Sequence, residues 1–478
     1  MGPRRNATNL ELKSIWDEAL VRDVLSNTKH RAKMWNWLIS HPDKEVSDIP
    51  FQSWCVNRAQ SQELISKFVR STSKVVEKSE SIRGDTTKLL LELQDGHRIE
   101  TVIMRHVGHA TVCVSSQIGC KMGCRFCATG TMGIIGNLTS GEIMEQLVYA
   151  NSITRIRNVV FMGMGEPLNN YDNLKLCIEF MIDDKRFGLS PKHVTVSTVG
   201  VLKSMHRLTE EMPFVNLALS LHAPNQEVRL KIVPAASAHH IDKLMAAIDL
   251  HIARNKEAFS KKKLAAHGQE LSENELDSYI KRGGGKRPNK ITGVMIEYIL
   301  IRDVNDKEEH AVELANLLVC RRDHVLLNLI PYNPTDVAED YEPPLQTSVQ
   351  RFHDICVSEP YVIHTRVRQE KGQDIAGACG QLALVKPGSA TTLQGKGETI
   401  EIEDYGGKGG KSKKKPAINA MKSREDARSS SASSDSTSSQ GDENFGSSIS
   451  RSGLLCYTNV AIPLMAVTAL SVYSRLRR

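Results

Sequence analysis

The chain has 478 residues, 40% hydrophobic and 24% charged, which is enough to bury a full core in more than one module. Its net charge of +7 permits a polyanion partner such as RNA without pointing to one. Ten cysteines in so long a chain do not make a secreted disulfide scaffold. The N-terminal stretch lacks the apolar run of a signal peptide, and Asp17, Glu18 and Asp23 argue against a transit peptide. Asn6 stands where myristoylation wants Ser or Thr. A reducing, cytoplasmic setting is the expectation.

Residues 1–108 read as a small N-terminal α+β accessory domain facing RNA. Leu10 to Ser26 and Ala32 to Ser40 have helical periodicity, and Lys88 to Leu93 and Arg98 to Met104 flank the hairpin signal Asp95-Gly96. Over 109–405, short β-rich runs alternate with amphipathic stretches. The runs are Ala110–Ser115, Asn158–Met162, His193–Thr198, Val215–Ser220, Val294–Leu300, Val325–Ile330 and Tyr361–Val367. Ser140–Tyr149, Ile241–Ile252 and Glu308–Val319 are helical. This order predicts an α/β fold: a parallel sheet with crossover helices, closed or nearly closed into a partial (β/α) barrel. Chemistry then belongs at the C-terminal ends of the strands.

A basic, glycine-broken insertion over 256–290, from Lys261 to Arg287, reads as a mobile surface loop. Residues 406–452 are Gly-Lys-rich and then serine-rich, the composition of a disordered linker. The apolar stretch within 453–478, ending in arginines, reads as a frayed extension or an amphipathic helix, with a short membrane anchor as the alternative.

The strongest motif is Cys120-Lys-Met-Gly-Cys124-Arg-Phe-Cys127. Three thiolates in one loop, without a fourth beside them, can hold a four-iron cluster and leave one iron open. A zinc site completed by His106 or His109 is the alternative. Gly163-Met-Gly165-Glu166-Pro follows a predicted strand; its glycines allow a close backbone approach, and its carboxylate can accept from an amino group.

Five segments occur in order: Cys113-Val-Ser-Ser-Gln-Ile-Gly-Cys120, Gly-Met-Gly-Glu166-Pro, Ser220-Leu221-His222-Ala-Pro, Asn328-Leu-Ile-Pro-Tyr-Asn333-Pro and Ala378-Cys379-Gly-Gln-Leu. Together they resemble the RlmN/Cfr family of radical S-adenosylmethionine (SAM) RNA adenine methyltransferases, over roughly residues 30 to 405. The resemblance implies that Cys120, Cys124 and Cys127 hold a [4Fe–4S] cluster. It implies that Gly165, Glu166, Ser197, Ser220, Leu221, His222 and Asn333 bind SAM. Cys379 would carry a methyl group, Cys113 would resolve the covalent intermediate, and Glu100 would accept the proton. The implied reaction is methylation of C2 of an adenine in rRNA, and also in tRNA, by a monomer fed by a flavodoxin or ferredoxin. A C8 methyltransferase uses the same cysteines, and a non-catalytic iron–sulfur RNA-binding protein would need neither Cys113 nor Cys379. Gly136 departs from the family, whose members usually carry a basic residue there.

Overall fold

The computed structural model describes residues 11–266, 293–335, 337–369 and 371–382, with 268, 272, 274 and 275 between the first two stretches. Lys13–Ser14 (β1) and Phe68–Val69 (β2) form a small parallel pair. Between them lie helices Glu18–Val24, Thr28–Ser40 and Arg58–Lys67. The helix expected from Leu10 starts only at Glu18. Asp17 is the reason: its extended backbone and its side chain, accepting from the Leu20 amide at 3.3 Å, make it the N-cap. Trp16 and Trp35 pack edge-on against Phe180 of helix Tyr171–Ile182, and Arg186 covers the Trp35 and Phe180 rings while pairing with Glu18.

The main sheet has ten strands. In chain order they are β3 (Lys74–Glu80), β4 (Thr86–Glu92), β5 (Arg98–His106), β6 (His109–Cys113), β9 (Asn158–Phe161), β10 (Val194–Thr198), β11 (Asn216–Ser220), β12 (Val294–Leu300), β13 (Val325–Pro331) and β14 (Thr365–Val367). A separate antiparallel ribbon is made by β7 (Gln117–Cys120) and β8 (Gly133–Asn137), where Gly136 lies opposite Ile118. The spatial order is β14-β13-β12-β11-β10-β9-β6-β5-β4-β3. From β6 to β14 every pairing is parallel; β3, β4, β5 and β6 pair antiparallel. The sheet is therefore open, with β14 and β3 as its edges, and not a closed barrel. The expected junction at residue 108 falls in the β5–β6 turn, and the sheet continues across it.

Parallel strands carried by crossover helices are buried on both faces, which explains the Val- and Leu-rich runs of β9 to β13. Two further expectations need correction. The strand predicted from Tyr361 begins at Thr365, because Val362 is held at φ +50°, outside strand geometry. The helix predicted to end near Ile252 runs on to Ala266, since the Lys-, Glu- and Ala-rich sequence there favours helix over loop. The first residues of the basic insertion are thus helical, and most of its remainder lies outside the described residues. So do 383–478, including the serine-rich and apolar tail segments. No helix among the described residues is long and apolar enough to cross a membrane.

Candidate active site

The cysteine loop closes the β7–β8 ribbon. Cys120 ends β7, and Cys127 caps the short helix Ala128–Thr131. Gly119 sits at φ +72° with Gly133 O so near that a Cβ would stand 1.9 Å from it, so only glycine fits. The Cys127 amide donates to Cys124 O at 3.1 Å, which coils the loop back on itself. Cys124 lies within an apolar cluster with Met122, Phe126, Ile232, Val233 and Tyr332, and Cys120 and Cys127 pack against it. Burial pushes all three thiols up, Cys120 to about 12; Cys127 adds to the rise at Cys120 and Cys124, and Cys379 to that at Cys127. Desolvated thiols that need a cation to ionise suit an iron–sulfur cluster, whose charge supplies what burial withholds. Among the described residues no three His, Cys, Asp or Glu side chains close around a single metal ion. His106 and His109, either of which would complete the alternative zinc site, stack on each other at 4.7 Å.

Glu166 stands just past β9 on the turn that begins at Gly163. Gly165 has φ +99°, and a Cβ there would meet Gln117 at 2.5 Å. Gln117 in return accepts from the Glu166 amide at 2.8 Å. The Glu166 carboxylate accepts from the Leu168 and Val199 amides at 3.0 and 2.9 Å. Burial nevertheless pushes its carboxyl up to about 7, and a ligand amino group would favour the ionised form. Ser197, on β10, and Ser220, on β11, approach Oγ to Oγ at 3.2 Å.

His222 holds φ +60°, and its Nδ1 accepts from the Ile299 amide at 3.1 Å. Burial, aided by Arg229, depresses it to about 3. It is a neutral ring that packs edge-on against Phe126 at 4.9 Å, and so braces the cysteine loop. Arg229 was not singled out by its sequence. It is fully buried and donates to the carbonyls of Leu221 (3.0 Å), Val199 (2.6 Å) and Ser220 (3.3 Å), tying together the ends of β10 and β11.

Cys379 follows the described strands and is stapled onto the cysteine loop. Its carbonyl accepts from Asn333 Nδ2 at 3.2 Å, and Asn333 Oδ1 accepts from Gln373 at 2.8 Å. Gly380 O accepts from the Ala128 amide at 2.8 Å, and Thr129 Oγ1 donates to Leu382 O. Cys113 ends β6, opposite Val102 on β5 and Val160 on β9. Burial pushes its thiol up to about 12; Cys379 adds to the rise, and Arg368 opposes it. The Arg368 guanidinium is itself held charged first by Cys379, then by Glu297 and Cys113. Glu100, on β5 and two residues from Val102, is buried; its carbonyl accepts from Ser115 Oγ at 2.6 Å, and its carboxylate pairs with Lys88 at 3.0 Å.

Cys113, Ser197 and Ser220 thus lie at or near the C-terminal ends of β6, β10 and β11, with Glu166 and Asn333 just past β9 and β13, whereas Glu100 lies within antiparallel β5. Glu297, Arg368 and Lys88 were missed. Glu297 has one oxygen on Asn328 Nδ2 at 2.9 Å and its other oxygen buried without a partner. A charge inside the otherwise apolar run Val294–Leu300 is a signal that could have found it.

Comparisons with known proteins give the family and the fold. The model of the Radical SAM superfamily matches residues 114–257. The Ribosomal RNA large subunit methyltransferase N of Nitrosopumilus maritimus is 36% identical over 351 residues, covering 71% of this chain and 88% of that protein. A probable dual-specificity RNA methyltransferase RlmN of Pseudothermotoga lettingae is 38% identical over 323 residues, covering 67% and 82%. The crystal structure of a radical SAM methyltransferase from Sphaerobacter thermophilus superposes with a TM-score of 0.63 at 30% identity, covering 80% of this chain and 99% of that one.

Proposed function

The chain belongs to the RlmN family of radical SAM RNA methyltransferases, enzymes with a [4Fe–4S] cluster and SAM, and on that premise we propose that it methylates C2 of an adenine in rRNA and tRNA. The observation that carries this reading is that the Cys379 segment is hydrogen-bonded to the three-cysteine loop, through Gly380 O on the Ala128 amide, and is tied by Lys88 to Glu100. An adenine ring carbon is electron-poor and cannot attack a methyl sulfonium, so the methyl group needs a carrier.

Cys379 takes that role by displacing the methyl group from one SAM molecule. Cys120, Cys124 and Cys127 would hold the cluster, which would supply the one-electron chemistry: an electron for reductive cleavage of a second SAM, and an acceptor for the electron that leaves the RNA adduct. Glu166, with Gly165, Ser197, Ser220, Leu221, His222 and Asn333, positions SAM. The Cys379 S-methyl group gives a hydrogen atom to the 5′-deoxyadenosyl radical from that second SAM, which leaves as 5′-deoxyadenosine, and the methylene carbon bonds to the adenine ring. Glu100 accepts the ring-carbon proton. Cys113 then attacks the Cys379 sulfur: an S–S bond forms, the S–CH2 bond breaks, and the freed carbon takes a proton to become the methyl group. A dithiol reductant resets the pair, and a flavodoxin or ferredoxin supplies electrons to the cluster.

The RlmN names of the relatives favour C2, whereas C8 methylation would use the same cysteines. Nucleoside mass spectrometry of RNA treated with the anaerobically loaded protein separates the two. 2-Methyladenosine supports the proposal; 8-methyladenosine, or no methylated adenosine, refutes it.

A further inference from the structure

The Cys379 segment rests on the antiparallel strands of the N-terminal half. Lys371 Nζ donates to Arg105 O at 2.8 Å and pairs with Asp85 at 3.1 Å. The Asp374 carboxylate accepts from the Ile82 amide at 2.7 Å, and a Cβ on Gly372 would strike Thr86 Cγ2 at 2.7 Å. The innermost tie is Lys88. Its ammonium lies 3.0 Å from Glu100 Oε1 and donates to Ala376 O at 3.3 Å. Both side chains of the ion pair are nearly sealed from solvent, at 4% and 2% exposure, so water cannot hold either group in place. Ala376 sits at φ +49°, three residues before Cys379, in a bend closed by the Gly377 amide on Gly372 O at 2.8 Å.

We propose that Lys88 is a positioning residue, one ammonium that fixes the proton acceptor Glu100 and the backbone carrying Cys379 in a single register. This rests on the reading of Glu100 as base and Cys379 as carrier. In the adduct the ring carbon is bonded to the Cys379 S–CH2 group, and its C–H bond must break towards Glu100. The proton goes to a Glu100 oxygen, the electron pair stays in the ring, and the ring's unpaired electron returns to the iron–sulfur cluster. A carboxylate tied to the same anchor as the carrier loop is held where the adduct forms. A buried pair of this kind adds little stability over an apolar substitute, so conformational specificity is the better account of it.

The test uses the full-length, cluster-loaded protein and RNA deuterated at the carbon that the wild type methylates. Lys88→Met should still methylate Cys379, read by intact mass. It should lose turnover, accumulate a denaturation-stable protein–RNA adduct with Cys113 present, and show a primary deuterium isotope effect absent from wild type. Undiminished turnover overturns the proposal, as does turnover lost in step with Cys379 methylation and without an isotope effect. Glu100→Gln is run beside it. If Glu100→Gln lacks the adduct and isotope effect, the reading of Glu100 as base fails and the tether falls with it. If Glu100→Gln shows them and Lys88→Met does not, only the tether is wrong. Should Lys88→Met not fold, Lys88→Gln decides: its shorter amide still donates to the carboxylate but cannot span both partners. An isotope effect in it upholds the proposal, and none overturns it.

Discussion

Replacing Gly119 by Ala should empty the cluster site while leaving the rest of the fold in place. The new methyl group would stand 1.9 Å from Gly133 O and 3.1 Å from its carbonyl carbon, on the strand facing Cys120. Ordinary contact distances require the two strands to part by more than 1 Å, roughly, since carbon and its neighbours settle about 3.5 Å apart. Left-handed backbone adds about 1–2 kcal/mol of strain, and each ladder hydrogen bond lost adds about 1 kcal/mol. The ribbon is separate from the ten-stranded sheet, so the damage should remain local. Gly108→Ala is the matched control: φ is +81° there, with nothing within 4 Å of a Cβ, so it carries the strain without the collision. Iron and sulfide per chain, measured after anaerobic reconstitution with circular dichroism as a fold check, read the outcome. Gly119→Ala should lose most of its iron, and Gly108→Ala should keep it. Equal iron in the two variants would refute the reasoning.

Because burial raises the Glu166 carboxyl to about 7 and a ligand amino group favours its ionised form, SAM affinity should be full above that pH and fall as pH drops through it. Equilibrium binding at about pH 6 and about pH 8 checks this; a flat profile, or one that Glu166→Gln does not flatten, contradicts it. Arg229→Met leaves three backbone carbonyls without their donor and should cost about 3 kcal/mol in denaturant unfolding; a loss under about 1 kcal/mol would show the ties to be dispensable.

The parallel strands and the cysteine loop were legible because their signals are local: apolar runs bounded by turns, and three thiols in one short loop. The same holds for Glu166, whose glycine-flanked turn announces a close approach. The residues that organise the site were not legible. Lys88 reaches Ala376 across 288 positions, and Arg368, just past edge strand β14, acts electrostatically on Cys113 at the end of β6. Such charges are read as ordinary strand polarity until the topology brings their partners to them. His222 was found by its motif, but its neutrality depends on burial and on Arg229, neither of which spacing reveals. The start of the first helix turned on one N-cap, Asp17.

The central claim is that Cys379 carries the methyl group and Cys113 releases it, and their two alanine variants test it most directly. With RNA, SAM and reductant, Cys113→Ala should form a protein–RNA adduct that survives denaturing gels and is trimmed by nuclease to one nucleotide on Cys379. Cys379→Ala should form neither adduct nor product. Intact, cluster-loaded Cys113→Ala that forms no adduct, or Cys379→Ala that still methylates RNA, would contradict the account.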